Sequence, residues 1–170
     1  MHLSEQKNTL YEASFATGAT MKDHMIDVDG GIGTMMVIAS KGRREMPNGQ
    51  VYVDGQVEQL SRSGQFVGQH ICTPKLGVSL HINAFNFPVW GMLEKMAPAL
   101  LAGMPVIVKP ATATCQVTEL AFNIIVASGI LPKGSVQLIT GDLGDLLDYL
   151  GGQDVVSFTG SETTGRHLRT

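Results

Sequence analysis

The stretch His81-Ile82-Asn83-Ala84-Phe85-Asn86-Phe87-Pro88-Val89-Trp90-Gly91 decides the fold, because a strand, a sharp break and a helix meet within it. Just upstream, LGVSLHI at 76–82 is a short apolar run with the bulky and β-branched residues of a buried strand. Pro88 stands where the first helical residue is expected, and Met92, Leu93, Met96, Leu100 and Leu101 follow at close to helical spacing. The turn then falls at Phe85-Asn86-Phe87. In an open α/β sheet, ligands bind where strands leave through their carboxyl ends into helices, which makes the Asn86 amide the first candidate for a functional group.

Downstream of this stretch the pattern is regular. Apolar runs at 76–82, 104–108, 135–139 and 155–158 alternate with helical segments at about 91–102, 114–128 and 143–150, and a further helix starts at Ser161. Such alternation means βαβ units, right-handed crossovers and a largely parallel sheet. Gly103 and Gly129 close the first two helices, and Pro98 removes one backbone donor inside the first. Upstream, residues 46–73 carry turn signals and alternation, with Asp54-Gly55 reading as a hairpin turn. This ribbon holds no catalytic constellation and reads as an edge ribbon suited to a subunit contact.

The first 45 residues are helical in pattern. One helix covers about 1–17, starting without a cap and stopping at Gly18; a second covers about 20–44, with Met21, Met25, Val28, Ile32, Met35, Met36 and Ala39 on one face. Gly30-Gly31 and Gly33 each cost that helix about 1 kcal/mol, which predicts a close helix-helix approach. The GGIG run lacks the preceding strand of a phosphate loop. The expected organisation is a helical segment at 1–45, a ribbon at 46–73 and an incomplete set of dinucleotide-binding βαβ units at 74–170. The fold class is α/β: a partial Rossmann-like parallel sheet preceded by helices and an antiparallel ribbon.

Composition narrows the partners. With 170 residues, 44% of them hydrophobic, 16% charged and a net charge of -3, the chain has the makings of one well-packed core. Arg43-Arg44 is its only adjacent Lys/Arg pair, so nucleic acid is not expected. The longest apolar stretch, 97–108, is interrupted by Pro98, Gly103 and Pro105 and is too short to span a membrane. Glu5 and Lys7 interrupt any signal-peptide core, and the unclustered Cys72 and Cys115 suggest neither disulfides nor zinc, so a cytoplasmic location is expected.

Three strand ends carry glycine or charge suited to a dinucleotide. The 104–108 run delivers Lys109-Pro110-Ala111-Thr112; a lysine there can bond ribose hydroxyls, and is equally consistent with a solvated strand end. The 155–158 run delivers Thr159-Gly160-Ser161-Glu162-Thr163-Thr164-Gly165, whose free N–H groups suit a pyrophosphate, although an ordinary Ser N-cap reads the same. Ile139-Thr140-Gly141-Asp142-Leu143-Gly144 is the third.

NFPVW at 86–90, APALLAGMPVIVKPA at 97–111 and FTGS at 158–161, in that order, resemble the cofactor-binding domain of the aldehyde dehydrogenase superfamily. TGAT at 17–20, VDGGIGT at 28–34, HINAFNFPVWGMLEKMAP at 81–98, GMPVIVKPATAT at 103–114 and QDVVSFTGS at 153–161 are similar to one branch. That branch comprises the aldehyde dehydrogenase domains of the bifunctional ring-opening enzymes of bacterial phenylacetate degradation (oxepin-CoA hydrolase / 3-oxo-5,6-dehydrosuberyl-CoA semialdehyde dehydrogenase). The resemblance implies oxidation of a CoA-linked semialdehyde to the acid through a thiohemiacetal; the 46–73 ribbon, from its own pattern, is the expected contact of a homo-oligomer.

By the same resemblance, Asn86 matches the amide that donates to the thiohemiacetal oxyanion, and Lys95 a lysine with a supporting proton-relay role. Lys109, with Ala111 and Thr112, matches the adenosine-ribose side; Ile82, Asn83 and Ala84 match the strand end along the adenosine; and Gly144, Phe158, Gly160, Ser161 and Thr164 complete the cofactor set. NAD-preferring relatives commonly carry glutamate where Thr112 stands, so NADP is the expected cofactor, with NAD possible. The family's general-base glutamate and nucleophilic cysteine lie downstream of FTGS and have no match here, so the chain reads as an inactive piece of a longer enzyme. Cys115, at a helix start, is the more reactive of its two thiols but has no visible base. The alternatives are another CoA-linked semialdehyde dehydrogenase, as in benzoyl-CoA breakdown, and a non-catalytic nucleotide-binding or structural fragment.

Overall fold

Two sheets of different character divide the strands of the structure, a computed structural model that describes residues 2–169. The larger is parallel, with β3 (Ser79–Ile82), β4 (Val106–Lys109), β5 (Val136–Leu138) and β6 (Val155–Phe158) in the order β5-β4-β3-β6. The chain steps outward from β3 to β5 and then crosses back to lay β6 on the other side of β3, so the strand order reverses there. Ile82 stands level with Lys109 on one side and Phe158 on the other. The Asn83 N–H bonds the Lys109 carbonyl (3.0 Å) and the Thr159 N–H bonds the Ile82 carbonyl (2.9 Å), which extends the pairing to the carboxyl rim.

Burial follows position in the sheet. Central β3 is buried at all four residues, whereas β4 alternates, with Val106 and Val108 fully buried. These valines meet Met92, Leu93 and Met96 of α4 (Trp90–Leu101), Val117, Ala121 and Ile125 of α5 (Cys115–Ala127), and Val28 and Ile32 of α3 (Met21–Glu45) in one core. Leu3 of α1 (His2–Glu5) and Leu10 of α2 (Lys7–Phe15) join it. Thr20 and Asp23 start α3 with a reciprocal capping box.

The close approach expected from the glycine run is present between α3 and α4. A Cβ on Gly31 would lie 2.7 Å from the Trp90 Cα, and one on Gly30 would enter the Trp90 ring. Gly33 is not part of it, since nothing lies within 4 Å of its Cβ position.

Several expected boundaries move for local reasons. The first helix breaks at Gln6 into α1 and α2. The strand expected from residue 76 begins at Ser79, because the Val78 N–H turns to the Asp154 carboxylate (2.7 Å). α4 begins at Trp90 rather than Pro88: the Gly91 N–H does reach the Phe87 carbonyl (2.8 Å), but the Pro88 carbonyl is taken by the Thr118 hydroxyl (2.9 Å). The helix expected at 143–150 is one 3-10 turn, Leu146–Tyr149, since Gly144 has a positive φ of 57° and gives its N–H to the Asp142 side chain.

Asp54-Gly55 is not the hairpin turn. It lies inside β1 (Tyr52–Gln59), which pairs antiparallel with β2 (Val67–Cys72), and Gly55, at φ 77°, falls in a bulge between Asp54 and Glu58. The reversal is at 60–66, where the Leu60 N–H bonds the Phe66 carbonyl and the Ser61 hydroxyl accepts from the Phe66 N–H. Both ribbon strands are almost wholly exposed, including Val53, Val57, Val67 and Ile71.

Candidate functional site

Between β3 and α4 the chain turns through Phe85 and Asn86, and this turn is pinned by its backbone from two other elements. The Thr114 hydroxyl, just before α5, donates to the Phe85 carbonyl (3.1 Å), and Thr118 on α5 holds the Pro88 carbonyl (2.9 Å). From the other side, the Asp27 carboxylate on α3 accepts the N–H groups of Val89 (3.2 and 3.1 Å) and Trp90 (2.7 Å). α4 has no side-chain cap of its own, so a carboxylate 62 residues away in sequence from Val89 serves as one. The Asn86 side chain stays exposed, in front of a cavity of about 410 Å³ that is also lined by Ser14, Thr17, His24, Asp27 and Phe87.

Asp27 is 4% exposed, and burial pushes its carboxyl up to about 6 against the opposing pull of the Trp90 and Val89 N–H groups and of His24. His24, one turn earlier, is buried edge-on to Phe15 with neither ring nitrogen partnered.

A second cleft, of about 450 Å³, opens on the α4 side of the sheet between β3 and β6. Lys95, His81, Ser157, Phe158 and Thr159 are among its lining residues. Lys95 is 9% exposed at its side chain, and its ammonium group bonds the Gly91 carbonyl and the Glu94 carboxylate, both at 3.2 Å. His81 is buried, shares a 2.8 Å hydrogen bond with Ser79, and has its pKa lowered to about 4, first by burial and then by Lys95.

The expected cofactor residues fall on one rim. Ile82, Asn83, Lys109 and Phe158 are contiguous there through the strand register, with Ala84 next along the turn. Asn83 is buried with both side-chain polar atoms unpartnered, and Lys109 is half-buried with no ion pair. Ala111 precedes a 3-10 turn, Thr112–Thr114, with Thr112 exposed. Gly144 lies exposed on the loop after β5. Ser161 caps α6 (Glu162–His167), accepting from the Thr164 N–H (3.2 Å) and sharing a hydroxyl contact with Thr164 (2.9 Å). Gly160 allows the Phe158 ring to fold back, since a Cβ there would meet that ring.

Asn86 and Lys95 therefore open onto different cavities, and Lys109, Thr112, Gly144 and Ser161 line neither of the two. Sequence reasoning missed Asp27, Thr114 and Thr118. For Asp27 a signal existed: a carboxylate one turn before a glycine pair already read as a close approach, opposite a helix start with no cap. Cys72 is exposed on β2, and Cys115 opens α5 half-buried. Among the described residues no cluster of three or more His, Cys, Asp or Glu could hold a metal, and no helix is long and apolar enough to cross a membrane.

The family model for the aldehyde dehydrogenase family matches residues 1–170. The chain belongs to the aldehyde dehydrogenase family, a family of oxidoreductases. It is 45% identical over 154 residues to a 3,4-dehydroadipyl-CoA semialdehyde dehydrogenase of Aromatoleum evansii, covering 91% of this chain and 30% of that relative. Among solved aldehyde dehydrogenase structures, the NADP complex of the NADP-dependent glyceraldehyde-3-phosphate dehydrogenase of Bacillus halodurans matches with 28% identity and a TM-score of 0.75, over 98% of this chain and 35% of that one. A betaine aldehyde dehydrogenase of Staphylococcus aureus in complex with NAD+ matches with 26% identity and a TM-score of 0.78, over 98% of this chain and 33% of that one. The chain thus spans about a third of the length of these aldehyde dehydrogenases.

Proposed function

We propose that this chain is the cofactor-binding part of a dehydrogenase that uses NADP to oxidise a CoA-linked semialdehyde to the acid. Asn86 is the residue on which the reading turns: its exposed amide stands at the carboxyl end of the central strand, on a turn whose backbone bonds are already satisfied by Asp27, Thr114 and Thr118. An amide on a turn anchored this way can donate to the oxyanion of a thiohemiacetal with no rearrangement of the backbone, a contribution of about 3 to 4 kcal/mol to the barrier. Lys95, on the following helix, is proposed as a supporting proton-relay group, although its nearly buried cation opens onto the neighbouring cleft.

The rim fits a dinucleotide. Asn83 leaves a buried amide without a partner, and Lys109 is a cation with no carboxylate in ion-pair range. Ile82, Asn83 and Ala84 are proposed to line the adenosine, Lys109 with Ala111 and Thr112 its ribose, and Gly144, Phe158, Gly160, Ser161 and Thr164 the pyrophosphate and nicotinamide side. When bound, the dinucleotide supplies the hydride acceptor. Thr112 carries no charge to repel a 2'-phosphate, and Lys109 attracts one, which favours NADP over NAD. A solved relative holds NADP and another NAD+, so the family accommodates both.

The three-part organisation, 1–45, 46–73 and 74–170, is proposed to separate packing helices, a ribbon for homo-oligomer contact and the dinucleotide unit. Exposed Val53, Val57, Val67 and Ile71 suit the ribbon to that contact. The nucleophile and general base are proposed to lie outside this segment, so the chain alone does not turn over, and its cytoplasmic location is likewise a proposal. For the substrate, the motif resemblance favours the semialdehyde of phenylacetate degradation. A second reading, a dehydroadipyl-CoA semialdehyde, is favoured by the 45% identical relative.

Dissociation constants for NADP and NAD test the cofactor assignment, and a clear preference for NAD overturns it. Comparing kcat/KM for the two CoA-linked semialdehydes, in the enzyme at the full length of its relatives, decides the substrate. An aldehyde-dependent rise in NADPH absorbance from the isolated chain would falsify its proposed inactivity.

A further inference from the structure

The turn that carries Asn86 has three backbone anchors, and only one of them is charged. Asp27 closes all three of its hydrogen bonds on two consecutive N–H groups, Val89 and Trp90, immediately after Asn86-Phe87-Pro88. Its side chain can reach them only because α3 runs unusually close to α4 one turn further on, where Gly31 has no Cβ to keep the Trp90 backbone away. A negative charge at a helix N-terminus is favourable, and here it is buried, where such contacts are least screened. Of the three anchors, this carboxylate is the one that holds the first N–H groups of α4, where the turn enters the helix.

We propose that Asp27 is a positioning residue for Asn86: by holding the first N–H groups of α4 from α3, it sets the angle at which the Asn86 amide is presented to the cavity both residues line. The proposal rests on the reading of Asn86 as the oxyanion donor. Asp27 itself has its oxygens turned to the backbone and acts through the turn. A misplacement of about 1 Å at a reacting group can cost on the order of a hundredfold in rate, so loosening one of three anchors is expected to cost less than that.

The ionisation of Asp27 supplies a readout that a packing role would not give. Its carboxyl lies near 6 in the fold, and the protonated form is a weaker cap. The other groups around the same cavity are His24 and Asp23 from α3, Ser14 and Thr17 from α2 and the loop after it, Asn86 from the turn and Thr114 from the start of α5. Of these, Asp23 is held low by its Thr20 hydrogen bonds, and His24, which acts electrostatically on Asp27, is the ionisable neighbour to be controlled for. A carboxyl raised in the fold adds stability below its ordinary pKa and loses it as pH rises through about 6. Acid therefore weakens the cap without unfolding the protein through this group.

The experiment uses the enzyme at the full length of its relatives, with NADP and hexanal as probe substrates. Asp27→Asn is expected to lower kcat about tenfold with the NADP dissociation constant unchanged. In an Asn86→Ala background the same substitution is expected to change kcat by less than about twofold, because a residue acting through Asn86 has nothing left to position. An equal tenfold loss in both backgrounds overturns the proposal, since general loosening of the fold would give that result. If Asn86→Ala alone leaves kcat intact, the reading of Asn86 fails and the proposal falls with it; if Asn86→Ala is impaired and Asp27→Asn is not, only the proposal fails. Should Asp27→Asn not fold, the pH profile of the unsubstituted enzyme decides. An acidic limb in kcat near pH 6 that persists in His24→Gln supports the proposal, and a limb absent from the enzyme or abolished by His24→Gln overturns it.

Discussion

The turn after β3 and the turn after β6 sit on the same rim of one parallel sheet, and their backbones are held in opposite ways. Around Asn86, the side chains that anchor the turn are all distant in sequence: Asp27 lies 62 residues from Val89, Thr114 29 residues from Phe85, and Thr118 30 residues from Pro88. Around Ser161, past the Thr159 N–H that bonds the Ile82 carbonyl, the bonds are local: the Thr164 N–H donates to the Ser161 hydroxyl and Arg166 to Glu162, on an exposed two-turn helix. A turn whose backbone is fixed by the core holds its Cα positions before any ligand arrives. A turn fixed only by its own neighbours can adjust to a ligand at little cost. That division suits a site in which an oxyanion donor must be preorganised while a phosphate-binding segment need only be available.

The sharpest way to test the division is at Asn86. Asn86→Ala is expected to lower kcat by about a hundredfold or more, with stability and NADP affinity unchanged, because an exposed side chain on a pinned turn can be removed without disturbing what pins it. Steady-state rates and a thermal melt on the full-length enzyme check both halves. A large fall in melting temperature would show that the amide is structural.

The next effect comes from two buried titrating groups that flank the turn and oppose each other. His81 has its pKa depressed to about 4, so it contributes stability above its ordinary value of 6.5 that is lost as pH falls through about 4. Asp27 is raised to about 6, so its contribution is present at low pH and lost as pH rises through 6. Each is worth on the order of 3 kcal/mol, and between pH 4 and 6.5 the two nearly cancel. His81→Phe should therefore lose stability relative to the unsubstituted protein as pH rises across that window, while Asp27→Asn should gain. Melting temperatures at pH 4.5 and 7 read the difference, and the exposed carboxylates cancel because all three proteins share them. Parallel curves would mean that neither group is desolvated.

Smaller effects come from the contacts that bring α3 and α5 to the turn. Gly31→Ala forces a methyl against the Trp90 Cα at 2.7 Å, which no rotamer change can relieve, and should cost about 1 to 3 kcal/mol while drawing Asp27 away from its N–H groups. Thr118→Val keeps the shape but strands the buried Pro88 carbonyl, for a cost of about 1 to 2 kcal/mol. Both should lower kcat along with the melting temperature. A drop in stability with full activity would separate helix packing from the geometry of Asn86.

What could be read from the sequence was whatever depends on short range. The runs around Leu80, Val106 and Val155 announced a parallel sheet, because short, largely apolar runs alternate with helical segments; of these strands β3 and β4 are the buried central pair and β6 is an edge. Gly30-Gly31 announced a close approach because nothing else explains two glycines in a helix. Asn86, Lys109 and Ser161 were visible as strand-end residues. Asp27 was easy to pass over because a carboxylate beside Val28 looks like the solvent edge of an amphipathic helix; the glycine pair one turn on was its one local signal, and the contact across 62 residues makes it a cap. Asp54-Gly55 misled in the other direction: a glycine with positive φ suits a bulge as well as a turn, and the pairing of β1 with β2, which decides between them, is not local information.

The gentlest test lies at the other turn. Ser161→Ala removes an exposed N-cap from α6, a helix with no buried residues, so the loss should be about 1 kcal/mol confined to that helix, with no change in global melting temperature. Hydrogen exchange at the Thr164 and Gly165 amides should quicken while exchange at Val89 and Trp90, under Asp27, does not. If the division between the two turns is right, NADP affinity falls a few-fold, because the ligand must then order a helix start that has lost its cap, and kcat at saturating NADP stays within about twofold. A kcat that falls as far as it does in Asn86→Ala would mean that the rim behaves as one unit, and that the locally held turn is coupled to the pinned one through Ile82 and Phe158, which stand side by side in the sheet.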